Sequence, residues 1–335
     1  MKVVTLRRPG GLDCLQTLER SDPGEPERGE IRVRIHASSL NYHDHAVVTG
    51  AIPTEDGRIP MSDGAGIVEA VGPGVEELTV GDSVVSTFFP TWLEGPPRID
   101  DFSTTPGDGV DGYAREEVVR PAAAFTRAPE GWSHVEAATL TTAGLTAWRA
   151  LIVDGGLKAG DTVLTLGTGG VSIFALQIAQ RMGARVIATS SSEEKRERLR
   201  ELGVEHVLDY ESEPEWGARV KELTHGRGVD HVVEVGGAGT LPQSIEAVRT
   251  GGHIALIGIL SGVSGDVPTV RMMAKQVRLQ GLVVGSRAHQ QDMVRGMEAS
   301  GLRPIVDRSF ALDELAEAFR YEEAGLHFGK IALEV

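Results

Sequence analysis

The stretch "DTVLTLGTGGVSIFALQIAQRMG", residues 161 to 183, constrains the fold more than any other. An apolar run of strand length ends on Gly167. An apolar pattern of helical spacing follows and is closed by Gly183. Gly167, Gly169 and Ser172 occupy the G-x-G-x-x-G positions, with serine in the third. Downstream, "ARVIATS", "HVLDY", "DHVVEVGG", "GHIALIG" and "VRLQGLVV" read as further strands, with helices such as "SEEKRERLRELG" between them. This alternation implies α/β structure, a parallel sheet covered on both faces. A plain strand–helix turn would share the local pattern, but the repeated βαβ context favours a dinucleotide loop. Gly167 permits the tight turn, Gly169 the approach of a pyrophosphate, and Ser172 is small enough for helix–strand packing. Thr168, Gly170 and Val171 complete a helix start whose N–H groups and dipole favour phosphates.

The choice of dinucleotide falls at the end of the second strand, "VIATSSSEEK". An NAD site usually places an acid there for the ribose 2′-hydroxyl. Here Ser190 takes that place. Ser190, Ser191 and Lys195 would suit a 2′-phosphate, which a carboxylate would repel. Lys195 and Arg196 could instead be solvated helix charges paired with Glu193 and Glu194. The reading favours NADP(H).

Residues 1 to about 122 have a different texture. "EIRVRIHASSL" alternates as a half-buried strand, and "GAGIVEAVGPGVEELTVGDSVVSTF" breaks into two or three strands at its glycines. "PTWLEGPPRIDDFSTTPGDGVDG" lacks periodicity and reads as a long, functional loop. Net charge is −15, which argues against nucleic acid or anionic membrane as a partner. The single cysteine, Cys14, excludes an internal disulfide and any multi-thiolate metal site. There is no apolar run long enough to span a membrane and no signal-peptide core near "MKVVTLRRPG", so a cytoplasmic protein with a small-molecule substrate is expected.

Several of these segments resemble the medium-chain dehydrogenase/reductase superfamily over nearly the whole chain. They are "MSDGAGIVEAVGPGV…GDSVV", the glycine loop through "SSSEEK", and the C-terminal "HFGKIALEV". The nearer likeness is to its zinc-independent, quinone-oxidoreductase-like and alcohol-dehydrogenase-like branch. The resemblance implies a GroES-like β-barrel catalytic domain from residues 1–122 and 288–335. It implies a Rossmann domain from 123–287, with the active site in the cleft. Zinc-dependent members carry cysteine where this chain has Asn41, and His-Glu where it has Ser62-Asp63. They often add a four-cysteine lobe, absent here. Asn41 and Ser62 are poor ligands, so neither catalytic nor structural zinc is expected. "NYHDHAVVTG" then holds no metal: His45 reads as structural or solvated, and Asp44 as a residue that orients the loop or caps the helix.

For the zinc-free branch the resemblance implies that Asn41 reaches the substrate side of the nicotinamide. Lys195 would hold the 2′-phosphate, with Tyr210 beside it or simply in the core. Gly236, Gly258, Ile259 and Leu260 lie at strand ends facing the cofactor. Val284, Gly285 and Ser286 lie near the nicotinamide, Thr142 and Thr146 at the domain junction, and Lys330 among the cofactor residues. Members often pair Rossmann edges, so a homodimer is expected.

Without zinc, reduction of a simple ketone would leave a localised alkoxide needing a positioned acid. A Tyr-x-x-x-Lys pair is absent. A quinone or α,β-unsaturated carbonyl gives a delocalised anion that one or two donors can complete. Asn41 and Tyr42 are the leading donors, with His43 and Asp63 behind them. Phe88, Phe89 and Trp92 suit a flat substrate, although core packing would explain Phe88 equally. Two alternatives stand: an alcohol dehydrogenase or aldehyde reductase with a His43/Asp44 relay, and an NADPH-binding protein without turnover.

Overall fold

The computed structural model describes residues 1–335 except Arg98 and Asp100, which fall in the long loop. The reading of that loop as functional therefore lies partly outside the described residues. The chain divides into two compact units, Met1–Leu145 with Val284–Val335, and Thr146–Val283.

The second unit is built on six parallel strands. Across the sheet they run His206–Leu208, Arg185–Thr189, Thr162–Leu166, Val229–Glu234, Val248–Leu256 and Arg278–Gly281. The chain starts in the middle at Thr162–Leu166, builds outward to one edge, then returns to build the other half. That reversal is the switch point at which doubly wound sheets bind nucleotides. The central strands are wholly buried, as expected for a sheet covered on both faces. Leu164, Ile187, Val232 and Ile254 share one core with Leu241 and Ile245.

The first unit is a seven-stranded sheet around the strand Glu30–Ser39. One edge of this strand pairs with Ala65–Val71. The other is shared: its first half takes Glu117–Pro121, and its second half takes Lys330–Glu334. The alternation of "EIRVRIHASS" sets this up, with Ile31, Val33 and Ile35 turned into the core. Pairing of the C-terminal strand returns the last part of the chain to the first unit.

The units divide at 145/146 and 283/284, whereas the sequence placed the joints at 122/123 and 287/288. The reason is packing. Phe125–Arg127 pairs with Ser83–Ser86, and Ala137 and Ala138 of the next helix pack on Ala37 and Ala65. These contacts hold residues 123–145 to the sheet. Val284, Gly285 and Ser286 likewise belong to the first unit, where Ser286 caps the helix Arg287–Ser300. Among the described residues, no helix is long and apolar enough to cross a membrane.

His253, on the strand Val248–Leu256, is 3% exposed, and neither ring nitrogen has a hydrogen-bond partner among the described residues. Burial, then the nearby Arg278 and His231, pushes its pKa down to about 3 from 6.5. Below its ordinary pKa the unfolded chain takes up a proton that the folded chain refuses, so stability falls from pH 6.5 toward 3. This group should remove up to about 2 kcal/mol between pH 6.5 and 5. His253→Phe should keep that stability, read as a smaller shift in urea midpoint between the two pH values.

Candidate functional site

Asn41 lies two residues beyond the strand Glu30–Ser39 and holds the N-cap position of the helix Tyr42–Val48, yet its side chain does not cap that helix. It turns inward. Its Nδ2 donates to Asp63 Oδ2 at 2.9 Å, Asp44 Oδ2 at 3.0 Å and the Ser39 carbonyl at 3.3 Å. Its Oδ1 accepts from Lys330 Nζ at 2.6 Å. Lys330 also donates to the Leu40 carbonyl and stands 3.8 Å from Asp63 Oδ2. Asp63 accepts from Ser39 Oγ and from Thr142 Oγ1, each at 2.6 Å. Asp44 Oδ1 accepts the Ser62 N–H at 2.8 Å. All of these polar side chains except the half-buried Thr142 are buried.

Two carboxylates and one ammonium thus share a dry pocket inside the first unit. Burial, then the charge of Asp63, raises the Asp44 pKa to about 6. Burial lowers the Lys330 pKa, opposed by Asp63, Glu322 and Asp44. Burial also raises Glu322 to about 7.

This arrangement revises four expectations. Asn41 has two N–H bonds facing three acceptors inside the cluster, so it supports the pocket and has no donor left for a substrate. Lys330, expected among the cofactor residues, is the buried counter-ion of Asp63. Thr142, expected among the cofactor residues at the domain junction, spends its hydroxyl on Asp63. Asp44 caps no helix; it lies within Tyr42–Val48 and ties that helix to Ser62, which fits its other reading as an orienting residue. Ser39 was missed: a hydroxyl in a strand carries no signal until Asp63 comes opposite it.

The aromatic residues gather beside this cluster in the same unit. The His43 ring lies 5.3 Å from Phe88, edge-on, and 5.4 Å from Phe102, stacked. Its Nε2 is 3.5 Å from Asp108 Oδ2. Phe89 adjoins Phe88, Phe102 and Trp92. Trp92 is buried, donates from Nε1 to the Gly95 carbonyl and packs on His289, which makes it an anchor of the loop rather than an open lid. Phe102 and Asp108 were missed because the loop that brings them back has no periodicity. Tyr42 is 52% exposed and stacks on His45, whose Nε2 meets Glu323 at 2.8 Å, in accord with a structural His45.

In the second unit, Gly167 sits at the end of Thr162–Leu166 with φ 70°, and Gly169 precedes the helix Gly170–Arg181. A Cβ built on either would meet nothing within 4 Å. Glycine at 169 is therefore not demanded by this chain's own atoms, and the open cradle fits a ligand's phosphates. Ser172 Oγ donates to the Leu166 carbonyl at 2.7 Å, so the third position binds helix to strand. Ser191 Oγ and the Tyr210 hydroxyl are 3.1 Å apart, and Ser190 is buried beside them in sequence. Arg196 donates to the Ser190 and Ser191 carbonyls and pairs with Asp209 and Glu193, which fixes this loop. The Lys195 N–H is capped by Ser192. Gly236 follows the buried Glu234, another residue sequence reasoning missed. Its carboxylate takes the Gly236 and Gly237 N–H groups and the Thr240 and Ser244 hydroxyls. Beyond Gly258, Ile259 and Leu260 are exposed, and Thr146 is buried.

Comparison with known proteins shows the family. Residues 27–130 match the alcohol dehydrogenase GroES-like domain, and residues 170–299 match the zinc-binding dehydrogenase domain. A zinc-type alcohol dehydrogenase-like protein of Schizosaccharomyces pombe is 40% identical over 97% of this chain and 96% of its own. The chain belongs to the medium-chain dehydrogenase/reductase superfamily. It is an oxidoreductase fold with a GroES-like domain and a Rossmann domain. Among solved structures, an NAD-dependent alcohol dehydrogenase is similar with TM-score 0.90 and 34% identity, over all of both chains. A mycobacterial quinone oxidoreductase and a mycobacterial protein complexed with NADPH each give TM-score 0.83 and 28% identity, over all of both chains.

Removing the ammonium should expose how this superfamily member balances its pocket. Lys330→Met leaves Asp63 buried without its cation and should lower stability by about 3–5 kcal/mol in urea unfolding. Adding Asp63→Asn should recover part of that loss.

Proposed function

We propose that the protein transfers hydride from NADPH to a quinone or an α,β-unsaturated carbonyl without zinc. The observation that carries this is the Asn41–Lys330–Asp63 network. A catalytic zinc needs about three converging ligands with free lone pairs and an open position. Asn41 Oδ1 is occupied by the Lys330 ammonium, and both Asp63 oxygens carry hydrogen bonds. An ammonium 3.8 Å from Asp63 would repel a dication. Among the described residues no group of three or more His, Cys, Asp or Glu side chains is arranged for a metal. The donor set does not fit zinc, despite the name of the matching domain.

Reduction without a Lewis acid suits an acceptor whose product anion is delocalised. NADPH supplies the hydride when bound. The Phe88, Phe89 and Phe102 rings, packed edge-on and tilted against one another, offer an apolar lining, and His43 at their edge is the side chain best placed to hold or deliver a proton. Tyr42 remains a half-exposed second donor. On the cofactor side, the Ser190, Ser191 and Tyr210 hydroxyls replace a carboxylate at the end of the second strand, and Lys195 follows on the next helix. Asp209, beside Tyr210 in sequence, is paired with Arg196. The similarity to a protein complexed with NADPH supports the same cofactor; the likeness to an NAD-dependent enzyme leaves the test to Lys195. Ile259, Leu260, Val284, Gly285 and Ser286 keep the proposed cofactor role. A homodimer would pair the edge strand Arg278–Gly281 and cover the exposed Leu260, Val263, Val270 and Met273.

The His43–Asp108 approach favours one second reading, an NADP-dependent alcohol dehydrogenase with His43 as relay. Initial rates with NADPH and NADH across quinones, enones and aldehydes, and NADP with alcohols, separate the two. Turnover of quinones or enones with no alcohol oxidation is expected; alcohol oxidation alone would sink the first reading. Lys195→Glu should raise KM for NADPH roughly tenfold or more while leaving NADH little changed. An unchanged NADPH KM would remove the 2′-phosphate assignment.

A further inference from the structure

Arg115 stands in the first unit, just before the strand Glu117–Pro121. It is 7% exposed, yet its Nε and Nη2 are buried with no hydrogen-bond partner among the described residues. Burial, then the charge of Arg120, pushes its pKa down to about 10. Its electrostatic neighbours are Arg120, Asp111, Tyr113 and Arg20. Tyr113 is no counter-ion, because burial raises its phenol above the ordinary range.

Asp111 is the one carboxylate among those neighbours, and it is thinly shared. Arg20 Nη1 and Arg58 Nη1 each stand 3.5 Å from its oxygens, and the Ile59 N–H binds Oδ1 at 3.1 Å. Arg120 Nη2 reaches only the Asp111 backbone carbonyl, at 3.0 Å. Arg58 Nε is also buried without a partner. Its Nη2 lies 3.4 Å from Glu55, a largely exposed carboxylate. Among the described residues four guanidiniums therefore face two carboxylates, in a chain whose net charge is −15. Among the described residues, three buried guanidinium nitrogens on two of them have no hydrogen-bond partner.

An unpaired buried guanidinium is strongly unfavourable. Water could accept its hydrogen bonds but would not balance its charge. An oxyanion does both, and the planar fork of arginine matches two phosphate oxygens. We infer that Arg58, Arg115 and Arg120, with Arg20 and Asp111 at the rim, form a binding site for a phosphate group, carried by inorganic phosphate or by a small phosphomonoester. None of these arginines is among the residues proposed for the cofactor, so the inference does not depend on the proposed reaction. Asp111 and Gly112 also end the long loop that brings Asp108 to His43, so an occupant would fasten that loop's root.

The test uses the full-length protein titrated with inorganic phosphate or glycerol phosphate, at constant ionic strength against chloride, read by calorimetry and by Tm. Phosphate at ten times its Kd should raise Tm by about 2 °C. Either phosphate source binding alone supports the site and identifies the carrier. Arg115→Met should weaken phosphate at least tenfold and raise Tm in phosphate-free buffer, because it removes an uncompensated charge. Should that variant not fold, Arg58→Met must show the same tenfold loss. Arg219→Met, an exposed substitution in the other unit, should bind phosphate like the wild type. Phosphate binding that persists in the arginine variants, or a Tm no different from that in chloride, would overturn the inference.

Discussion

The Lys330 ammonium, buried against Asn41 and Asp63, is the interaction on which the first unit's pocket depends. It fixes three things at once. It ties the C-terminal strand to the end of the central strand through Leu40 and Asn41. It balances one of two buried carboxylates. It fills the acceptor of the side chain that stands where zinc-dependent relatives carry a ligand. Without it, Asp63 would be an isolated charge in a dry site, and such a group neutralises or unfolds its surroundings. With it, Ser39, Thr142 and Asp44 fall into place around a common set of oxygens.

The two units meet different demands with similar economy of parts. In the Rossmann unit, Gly167 and Gly169 leave open space beside a helix start, and Glu234 holds the next loop through backbone N–H groups. In the GroES-like unit, a buried charge network supports one side of the pocket and an aromatic group the other. His43 belongs to both halves of that pocket: it follows Asn41 by two positions and lies against Phe88 and Phe102. The proposed chemistry for it is proton transfer to an organic anion.

Local order was legible in the sequence, and long-range polar contact was not. The Rossmann strands and the glycine loop follow from apolar runs and glycine spacing, because a parallel sheet buried on both faces leaves a strong pattern. The strand Glu30–Ser39 was visible from its alternation. The absence of a cysteine at 41 and a histidine at 62 turned attention to Asn41. Its partners were misjudged, since Lys330 and Thr142 come from distant segments and nothing in their neighbourhoods tells an inward ammonium from a cofactor contact. Helix Tyr42–Val48 was read with Asp44 as a possible cap, but an inward carboxylate serves Ser62 better than it serves a helix end. The first joint was placed too early because Phe125–Arg127 and the Ala137–Ala138 contact look like the start of a new domain until their partners are known.

In the reading proposed for this site, a buried ammonium stands where a metal would act. This is tested most directly by elemental analysis of the active protein together with turnover before and after prolonged dialysis against a strong chelator. Substoichiometric zinc, with turnover and folding unchanged by the chelator, is the predicted result. A full equivalent of zinc per chain, removed by the chelator together with activity and restored with it, would contradict the account.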